Sequence, residues 1–234
     1  MQVAEIRRYP VKSMLGEVVP AVEVGHRGLA GDRLWAVRDA DGKFGSGKST
    51  RRFRRMPGLF QFRAYASEPV PVVELPDGRR FPADDAIGHR AVSAALGRTV
   101  TLAREAAVPH HDEGPVSLLT TASMRALTRL AGGERGAAEI DPLRFRANLL
   151  IDLPGSGFAE DNWPGRRLRV GTEVVLRIVR PLTRCVMIDM AQEGAGERKD
   201  LLKALAEHHE TTFGVFATVE QQGRVAAGDR CSWV

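Results

Sequence analysis

The chain has 234 residues, enough for one large domain or two small ones, and its composition is that of an ordinary globular protein. Hydrophobic residues make up 43% and charged residues 27%, which excludes a disordered or fibrous chain. The formal net charge of +5 favours anionic partners, although ordinary charge scatter explains such an excess equally well.

The first hundred residues are predicted to be mainly β-structure. Turn sequences such as HRGLAGD, DADGK, MPG and PDGRR separate short runs of alternating or β-branched residues. These runs predict five strands, namely VAEIRRYPV, VVPAVEV, RLWAVRD, FQFRAYA and PVVELP. A short helix over residues 89–97, ending on a glycine, and a strand over 99–104 complete this part.

The polar stretch 105–115, EAAVPHHDEGP, is interpreted as a linker or a surface loop. The elements expected after it are a helix over 120–133, a strand over 147–153, two strands around the Gly171-Thr172 turn within 166–182, a helix over 198–210 and, at the C-terminus, a strand, a glycine turn and a short strand. Thr121 or Ser123 is expected to cap the first of these helices, and Gly132-Gly133 to end it.

The predicted fold is mainly β with a few helices, a barrel-like β core decorated by helices. No regular βαβ repeat is present, so a doubly wound α/β sheet is not expected. The two cysteines imply no disulfide framework and fit a reducing compartment. The N-terminus lacks the apolar core of a signal peptide, and no run of about 18 apolar residues occurs. We therefore expect a cytoplasmic protein that makes no use of a membrane.

The stretch GKFGSGKST, residues 42–50, matches the nucleotide-binding P-loop pattern. A P-loop joins a buried strand to a helix, whereas here a hairpin turn precedes the stretch and RRFRRMPG follows it without an apolar helical face. Two interpretations remain: a solvated hairpin loop, or an electropositive rim for an anionic ligand. The cations of that rim would be Lys48, Arg51, Arg52, Arg54 and Arg55. A single phenylalanine among them is thin evidence for nucleic acid, and we expect no such partner.

Cys185 follows a predicted strand, directly after Arg184. A neighbouring cation favours the thiolate, the form that binds metals, but a lone cysteine is as easily a small buried hydrophobe. No spacing typical of a zinc site is present. The pairs His110-His111 and His208-His209 are expected to face solvent, because nothing in the sequence fixes a chelating geometry.

Six stretches resemble, in the same order, the MOSC-domain proteins related to the C-terminal domain of molybdenum cofactor sulfurases. They are RRYPVKSMLGE, GLAGDRLWAVRD, DPLRFRANLLID, FAEDNW, RPLTRC and FGVFATVEQQGRVAAGD. The resemblance is greatest to the branch that includes the mitochondrial amidoxime-reducing component. It implies an N-terminal MOSC-associated β-barrel domain over 1–105, a MOSC domain over 106–234, and a pterin–molybdenum cofactor (molybdopterin) held between them.

The resemblance also implies the site residues. Cys185 would be the metal ligand and catalytic residue, since thiolates suit soft metals. The positions implied for the phosphate-bearing cofactor are Lys12, Ser13, Arg33, Arg52, Gly114, Arg146, Asn148, Thr183 and Arg184. Arg52 belongs to a loose T-x-R match that makes GKFGSGKST a cationic lid, and Gly114 replaces a usual Ser or Thr. After the cysteine, VMIDMAQEG departs from the family pattern, and Asp189 is either a proton donor or a surface acid.

The function implied is that of an oxidoreductase that reduces N-hydroxylated small molecules. No cysteine cluster for an iron–sulfur centre is present, so a separate donor protein of ferredoxin, flavoprotein or cytochrome type would supply the electrons. The alternatives are a non-catalytic molybdenum cofactor carrier or sulfur-transfer module, and a P-loop nucleotide binder. The natural substrate and the oligomeric state stay open.

Overall fold

The computed structural model describes residues 1–132, 140–192 and 194–234, and within these ranges the fold is mainly β, as predicted. The strands are β1 (Gln2–Arg8), β2 (Glu17–Val19), β3 (Ala21–Gly25), β4 (Gly28–Leu29), β5 (Trp35–Asp39), β6 (Phe44–Ser46), β7 (Phe53–Arg55), β8 (Arg63–Tyr65), β9 (Val72–Glu74), β10 (Arg80–Pro82), β11 (Val100–Arg104), β12 (Val116–Thr120), β13 (Leu149–Asp152), β14 (Arg167–Val170), β15 (Val174–Thr183), β16 (Thr212–Gln221), β17 (Gly223–Ala226) and β18 (Cys231–Trp233). The helices are α1 (Ala86–Leu96), α2 (Thr121–Gly132) and α3 (Leu201–His208). Among the described helices, none has the length and apolarity needed to span a membrane.

The larger body is built on an eight-stranded sheet with the order β18-β14-β15-β16-β12-β13-β1-β2. Only β12 and β13 pair in parallel within it. The sheet curls so that its edges approach, since Gln2 on β1 forms an isolated bridge with Arg230, next to β18. Alternate valines, leucines and isoleucines point inward and form one core, which the small sheet β17-β3-β4 extends.

The smaller body has its own core. The sheets β11-β5-β6-β7 and β10-β9-β8, together with α1, enclose apolar side chains that include Val37, Phe62 and Leu102. A third apolar cluster lies between α2, α3 and the large sheet, and it contains Leu127, Leu205 and Phe213.

The sheets do not follow the order of the chain. β1 pairs with β13 and β3 pairs with β17, so the strands β1 to β4 belong to the larger body even though they come first. The segment after β1 then runs along the smaller body, where Lys12 N donates to Trp35 O and Leu15 N donates to Phe62 O, both at 2.8 Å. This segment is the seam between the two bodies, and it carries Lys12 and Ser13.

Several predicted elements have different limits. VVPAVEV divides at Pro20 into β2 and β3, which join different sheets, because proline cannot donate to a ladder. The first part of FQFRAYA belongs to the 3₁₀ turn Pro57–Gln61, and only Arg63–Tyr65 is a strand. β12 was not predicted; it begins directly after the polar stretch.

Two helices begin differently from the prediction. Thr120, not Thr121 or Ser123, caps α2, since its Oγ1 accepts from Ser123 N at 3.1 Å. Asp85 caps α1, which therefore starts at Ala86 rather than at residue 89. Gly133, the second glycine of the predicted stop of α2, lies outside the described residues.

The P-loop-like stretch does not have P-loop geometry. Phe44–Ser46 is a strand and the next element is another strand, Phe53–Arg55, which pairs with it in parallel. No helix N-terminus is therefore available to hold phosphate. Residues 44–47 are buried, so the prediction of a solvated hairpin loop is wrong for that part. Gly47 is packed against the larger body: a Cβ there would lie 2.4 Å from Met187 Cγ.

Candidate functional site

A cleft lies along the seam between the two bodies. The segments that line it are residues 12–13, Arg33, Lys48, 111–114, Ser117, 144–146, Asn148, 182–185, 187–188 and Phe216. They come from both bodies and from positions up to about 200 residues apart, so the cleft exists only in the folded chain.

Lys12 enters the cleft from the seam and is buried. Its Nζ donates to Asp112 Oδ1 at 2.6 Å and to His110 O at 2.9 Å. Burial lowers the pKa of Lys12 to about 8, an effect that the charge of Asp112 only partly offsets. Ser13 follows in a left-handed conformation, with φ of 65°, and its hydroxyl donates to Gly45 O at 2.9 Å.

Arg33 and Arg146 meet over the ring of the buried Tyr9. Their guanidinium carbons lie 4.8 Å and 4.3 Å from its centroid. Arg33 is paired with Asp32, and its Nη2 donates to Arg146 O at 3.0 Å. Arg146 Nη2 donates to Met14 O at 2.7 Å, but its Nη1 is buried without a hydrogen-bond partner. Burial lowers the pKa of Arg146 to about 10.

Backbone strain coincides with these positions. Five non-glycine residues of the described ranges have positive φ, and Ser13, Arg33 and Arg146 are three of them. A left-handed conformation costs such residues on the order of 1 kcal/mol each. Strained conformations of this kind persist mainly where the position serves a function. The strain therefore points to the cleft as the functional part of the molecule.

Arg184 and Cys185 follow the end of β15. Arg184 Nε donates to Phe213 O at 2.7 Å and its Nη1 donates to Phe145 O at 2.9 Å. Its Nη2 is buried without a partner, and burial lowers the pKa of Arg184 to about 10. Cys185 is a free, half-buried cysteine whose side chain lines the cleft beside these cations.

The donor set fits an anionic ligand that also carries a soft metal. Among the arginines that line the cleft, Arg146 and Arg184 each have a buried guanidinium nitrogen without a partner, and a buried polar group without a partner costs about 1–3 kcal/mol. Phosphate oxygens satisfy such donors well, and a thiolate such as that of Cys185 suits a soft metal.

A model of the MOSC domain matches residues 105–232, more than half of the chain. The chain belongs to the MOSC family. A model of the MOSC N-terminal beta barrel domain matches residues 1–105. The resemblance seen in the sequence is thus confirmed, and with it the association of this family with the molybdenum cofactor.

Two solved structures resemble this MOSC protein. The YUAD protein from Bacillus subtilis superposes with a TM-score of 0.55 at 14% identity, covering 98% of this chain and 93% of its own, which shows a shared fold. YiiM from Geobacillus stearothermophilus gives a TM-score of 0.39 at 16% identity over 51% of this chain and 54% of its own. No curated protein matches the chain significantly.

Two of the MOSC positions predicted to hold cofactor, Arg52 and Asn148, make hydrogen bonds to other parts of the protein. Arg52 does not line the cleft: it lies 5.3 Å from the Phe44 and the Phe53 ring centroids, and its guanidinium donates to Pro109 O and His111 O. Asn148 lines the cleft, but its Oδ1 accepts from Ser117 N at 3.1 Å and Ser117 Oγ at 2.9 Å, and its Nδ2 donates to Arg7 O at 3.2 Å.

Gly114 and Thr183 also line the cleft of this MOSC protein. At Gly114 a Cβ would lie 2.3 Å from Phe216 Cδ2, so the ring excludes the Ser or Thr expected at this position. Thr183 is exposed at the end of β15, opposite Thr212.

The histidines near the cleft contradict the sequence prediction. His110 is buried, with its ring edge-on to that of Phe44 at 4.8 Å, and His111 lines the cleft. Burial lowers the pKa of both to about 4. Lys12 and Arg52 donate hydrogen bonds to the carbonyl groups of His110 and His111, and these bonds hold the polar stretch 105–115 against the protein. His208 is exposed, as expected.

His209 is only partly exposed, again contrary to prediction. Its Nε2 lies 2.8 Å from Asp161 Oδ2, and its ring stacks on Phe158 at 3.6 Å. The pair joins the turn before β16 to the 3₁₀ turn Ala159–Asn162.

Asp189 is neither a surface acid nor part of the cleft lining. It is buried, and its carboxylate accepts from Leu201 N at 3.1 Å and Leu202 N at 3.2 Å. Asp189 thus caps α3 and satisfies two of its free N–H groups.

Sequence reasoning missed Arg144, the first arginine of the RFR motif. It is buried in the cleft wall and donates to Ile188 O and Met190 O at 3.3 Å and to Gly196 O. These bonds hold the loop after Cys185 in place. The RFR motif itself could have indicated Arg144, because it places an arginine two residues before Arg146.

Proposed function

We propose that this MOSC protein binds a molybdenum–molybdopterin cofactor in the seam cleft and reduces N-oxygenated small molecules with electrons from a separate protein. One observation carries the proposal. Four buried or largely buried cations, Lys12, Arg33, Arg146 and Arg184, converge with the thiol of Cys185, and two of them hold N–H groups that the protein leaves unsatisfied.

Each part of the cleft has a role in holding such a cofactor. Lys12 and the three arginines would bind the phosphate and the polar edge of the pterin, and Cys185 would ligate the metal. Arg33 and Arg146 are held rigid by Tyr9 and by carbonyl contacts, so little side-chain entropy is lost on binding.

The reaction has a simple balance. When bound, the molybdenum centre supplies the two electrons that reduce the N–O bond. The N–O bond breaks, the nitrogen gains an N–H bond, and the oxygen leaves as water, so one turnover consumes two electrons and two protons. Around this chemistry Lys12 Nζ holds a proton beside Asp112, and His111 is neutral at pH 7 because burial lowers its pKa to about 4.

Metal analysis and turnover test the proposal together. The chain is produced in a host that makes the cofactor, molybdenum per chain is measured, and an aromatic amidoxime is offered with reduced methyl viologen. The wild type is expected to hold about one molybdenum and to turn over, and Cys185→Ser to lose both. Cys231→Ser is the matched control, since Cys231 lies in the core of the larger body. A wild-type chain without molybdenum from that host contradicts the proposal.

A carrier or sulfur-transfer module is the second candidate. Asp189 is the acid nearest to Cys185 along the chain, and its carboxylate is used to cap α3. It is therefore not free to donate a proton beside Cys185, which favours this second candidate. A wild type that retains molybdenum but leaves the amidoxime unreduced would support this function instead.

A further inference from the structure

The loop between β6 and β7, together with β7 itself, carries several cations. Lys48 in the loop lines the cleft, and Arg51 in the loop and Arg55 on β7 are exposed. Within the described ranges these three form no ion pair, whereas Arg54 on β7 is paired with Asp39 and Asp41. The proposed cofactor site does not use Arg51 or Arg55, since neither lines the cleft.

Exposed apolar side chains accompany these cations. Six large hydrophobic residues of the described ranges are exposed, and three of them lie within three positions of a cleft-lining residue along the chain: Val108, Val179 and Val186, with exposed fractions of 53%, 42% and 45%. Val186 follows Cys185 directly.

The other two valines are placed near the cleft by their neighbours. Val108 lies three residues before His111, which lines the cleft and whose carbonyl accepts from Arg52. Val179 precedes Arg180, which is paired with the cleft residue Glu113. A single exposed valine needs no explanation, but three that stand so near the lining of one cleft are typical of an interaction surface.

We propose that this face, formed by Arg51, Arg55, Val108, Val179 and Val186, is the docking surface for an acidic electron-carrier protein. The inference rests on the proposed function and names its partner. A few exposed apolar side chains together with unpaired cations are typical of transient encounters, in which opposite charges steer the partner and little area is buried. The half-buried Cys185 lies at this face, so electrons arriving here enter next to the metal ligand. Each N–O bond reduced takes up two electrons, so a one-electron carrier such as a ferredoxin docks twice per turnover, giving one electron each time and transferring no atoms.

A plant-type ferredoxin, which is acidic, serves as the probe. Binding of oxidised ferredoxin to the molybdenum-loaded protein is measured at increasing salt, and turnover is driven either by reduced ferredoxin or by reduced methyl viologen. The variant Arg51→Glu/Arg55→Glu is expected to weaken ferredoxin binding and raise the ferredoxin KM about tenfold or more. Its viologen-driven turnover and amidoxime KM stay at wild-type values. Arg51→Gln/Arg55→Gln should give an intermediate loss.

Arg90→Glu/Arg98→Glu is the matched control, because it makes the same change in net charge at exposed positions on and just after α1. It is expected to bind ferredoxin like the wild type. Equal binding by both double variants, with viologen turnover intact, overturns the docking surface alone. A raised amidoxime KM with viologen as donor shows that the cations serve the small substrate, and it also overturns the inference. A wild type without viologen-driven turnover overturns the proposed function, and the inference with it.

Discussion

Replacing Lys12 by methionine should stabilise the protein at neutral pH. The folded protein lowers the pKa of Lys12 from 10.5 to about 8, mainly through burial. That difference corresponds to roughly 3 kcal/mol by which folding disfavours the ammonium form. Methionine removes this cost but also the hydrogen bonds to His110 O and Asp112, which are worth about 1 kcal/mol each. The net gain expected at pH 7 is therefore about 1 kcal/mol.

The pH dependence gives the sharper test. Above pH 10.5 the Lys12 amine is neutral in both states and carries no penalty. As the pH falls towards 8 the unfolded chain takes up the proton first, so wild-type stability is lost; below pH 8 the loss is complete. The free energies of unfolding of wild type and Lys12→Met should therefore cross near pH 9 to 10, with the variant more stable on the acid side.

Urea denaturation of both proteins without cofactor, at pH 6.5 to 10.5, measures this difference. Lys203→Met is the control, because that side chain is exposed on α3 and its curve should run parallel to the wild type. In a cofactor-producing host, Lys12→Met should hold less molybdenum despite its greater stability. A constant stability difference across the whole pH range would refute the reasoning.

Three further predictions concern packing, capping and pH. Gly114→Ala should cost about 1–3 kcal/mol in urea unfolding, because its Cβ would lie 2.3 Å from the Phe216 ring, and adding Phe216→Leu should recover most of the loss. Asp189→Ala should cost about 1–2 kcal/mol through the α3 cap. Asp189→Asn should cost part of that, because its amide offers one acceptor oxygen for the two N–H groups, but it should keep amidoxime turnover; a folded but inactive Asp189→Asn would instead make Asp189 a proton donor. Burial acts to lower the pKa of His209, but the hydrogen bond to Asp161 and its other partners together have the larger effect, and the net pKa is raised above its ordinary value. The stability from that pair is therefore complete below pH 6.5 and lost as the pH rises through the folded-state pKa, and the melting temperature of Asp161→Asn should converge with that of the wild type in that range.

The family pattern located the cleft well because it consists of short motifs that the fold brings together. Lys12, Arg33, Arg146, Arg184 and Cys185 stand in separate motifs, and all five line the cleft. Their roles as ligands stay predictions. Strand patterning likewise predicted the mainly β fold, since each strand buries one face and shows period 2.

Local sequence could not show contacts whose partners lie far away in the chain. Arg52 bonds a segment almost 60 residues further on, and Asn148 bonds Arg7 and Ser117. Local sequence also could not show that His110 is buried, because the burial depends on Lys12 and Phe44. A loop is polar for either of two reasons, exposure to water or a ligand-bearing interior, and composition does not separate them.

The pairing of β1 with β13 sets the order of events during synthesis on the ribosome. Gln2 has its partner at Asp152, so the first strand waits while roughly 150 further residues are added, about 8 to 30 seconds at ordinary translation rates. The smaller body has no such delay, because its strands β5 to β11 pair only with one another. We therefore expect it to fold first during translation, with Lys12 and Ser13 held against it. The larger body would then close around a site that is half built, and the late, long-range pairings would limit the folding rate.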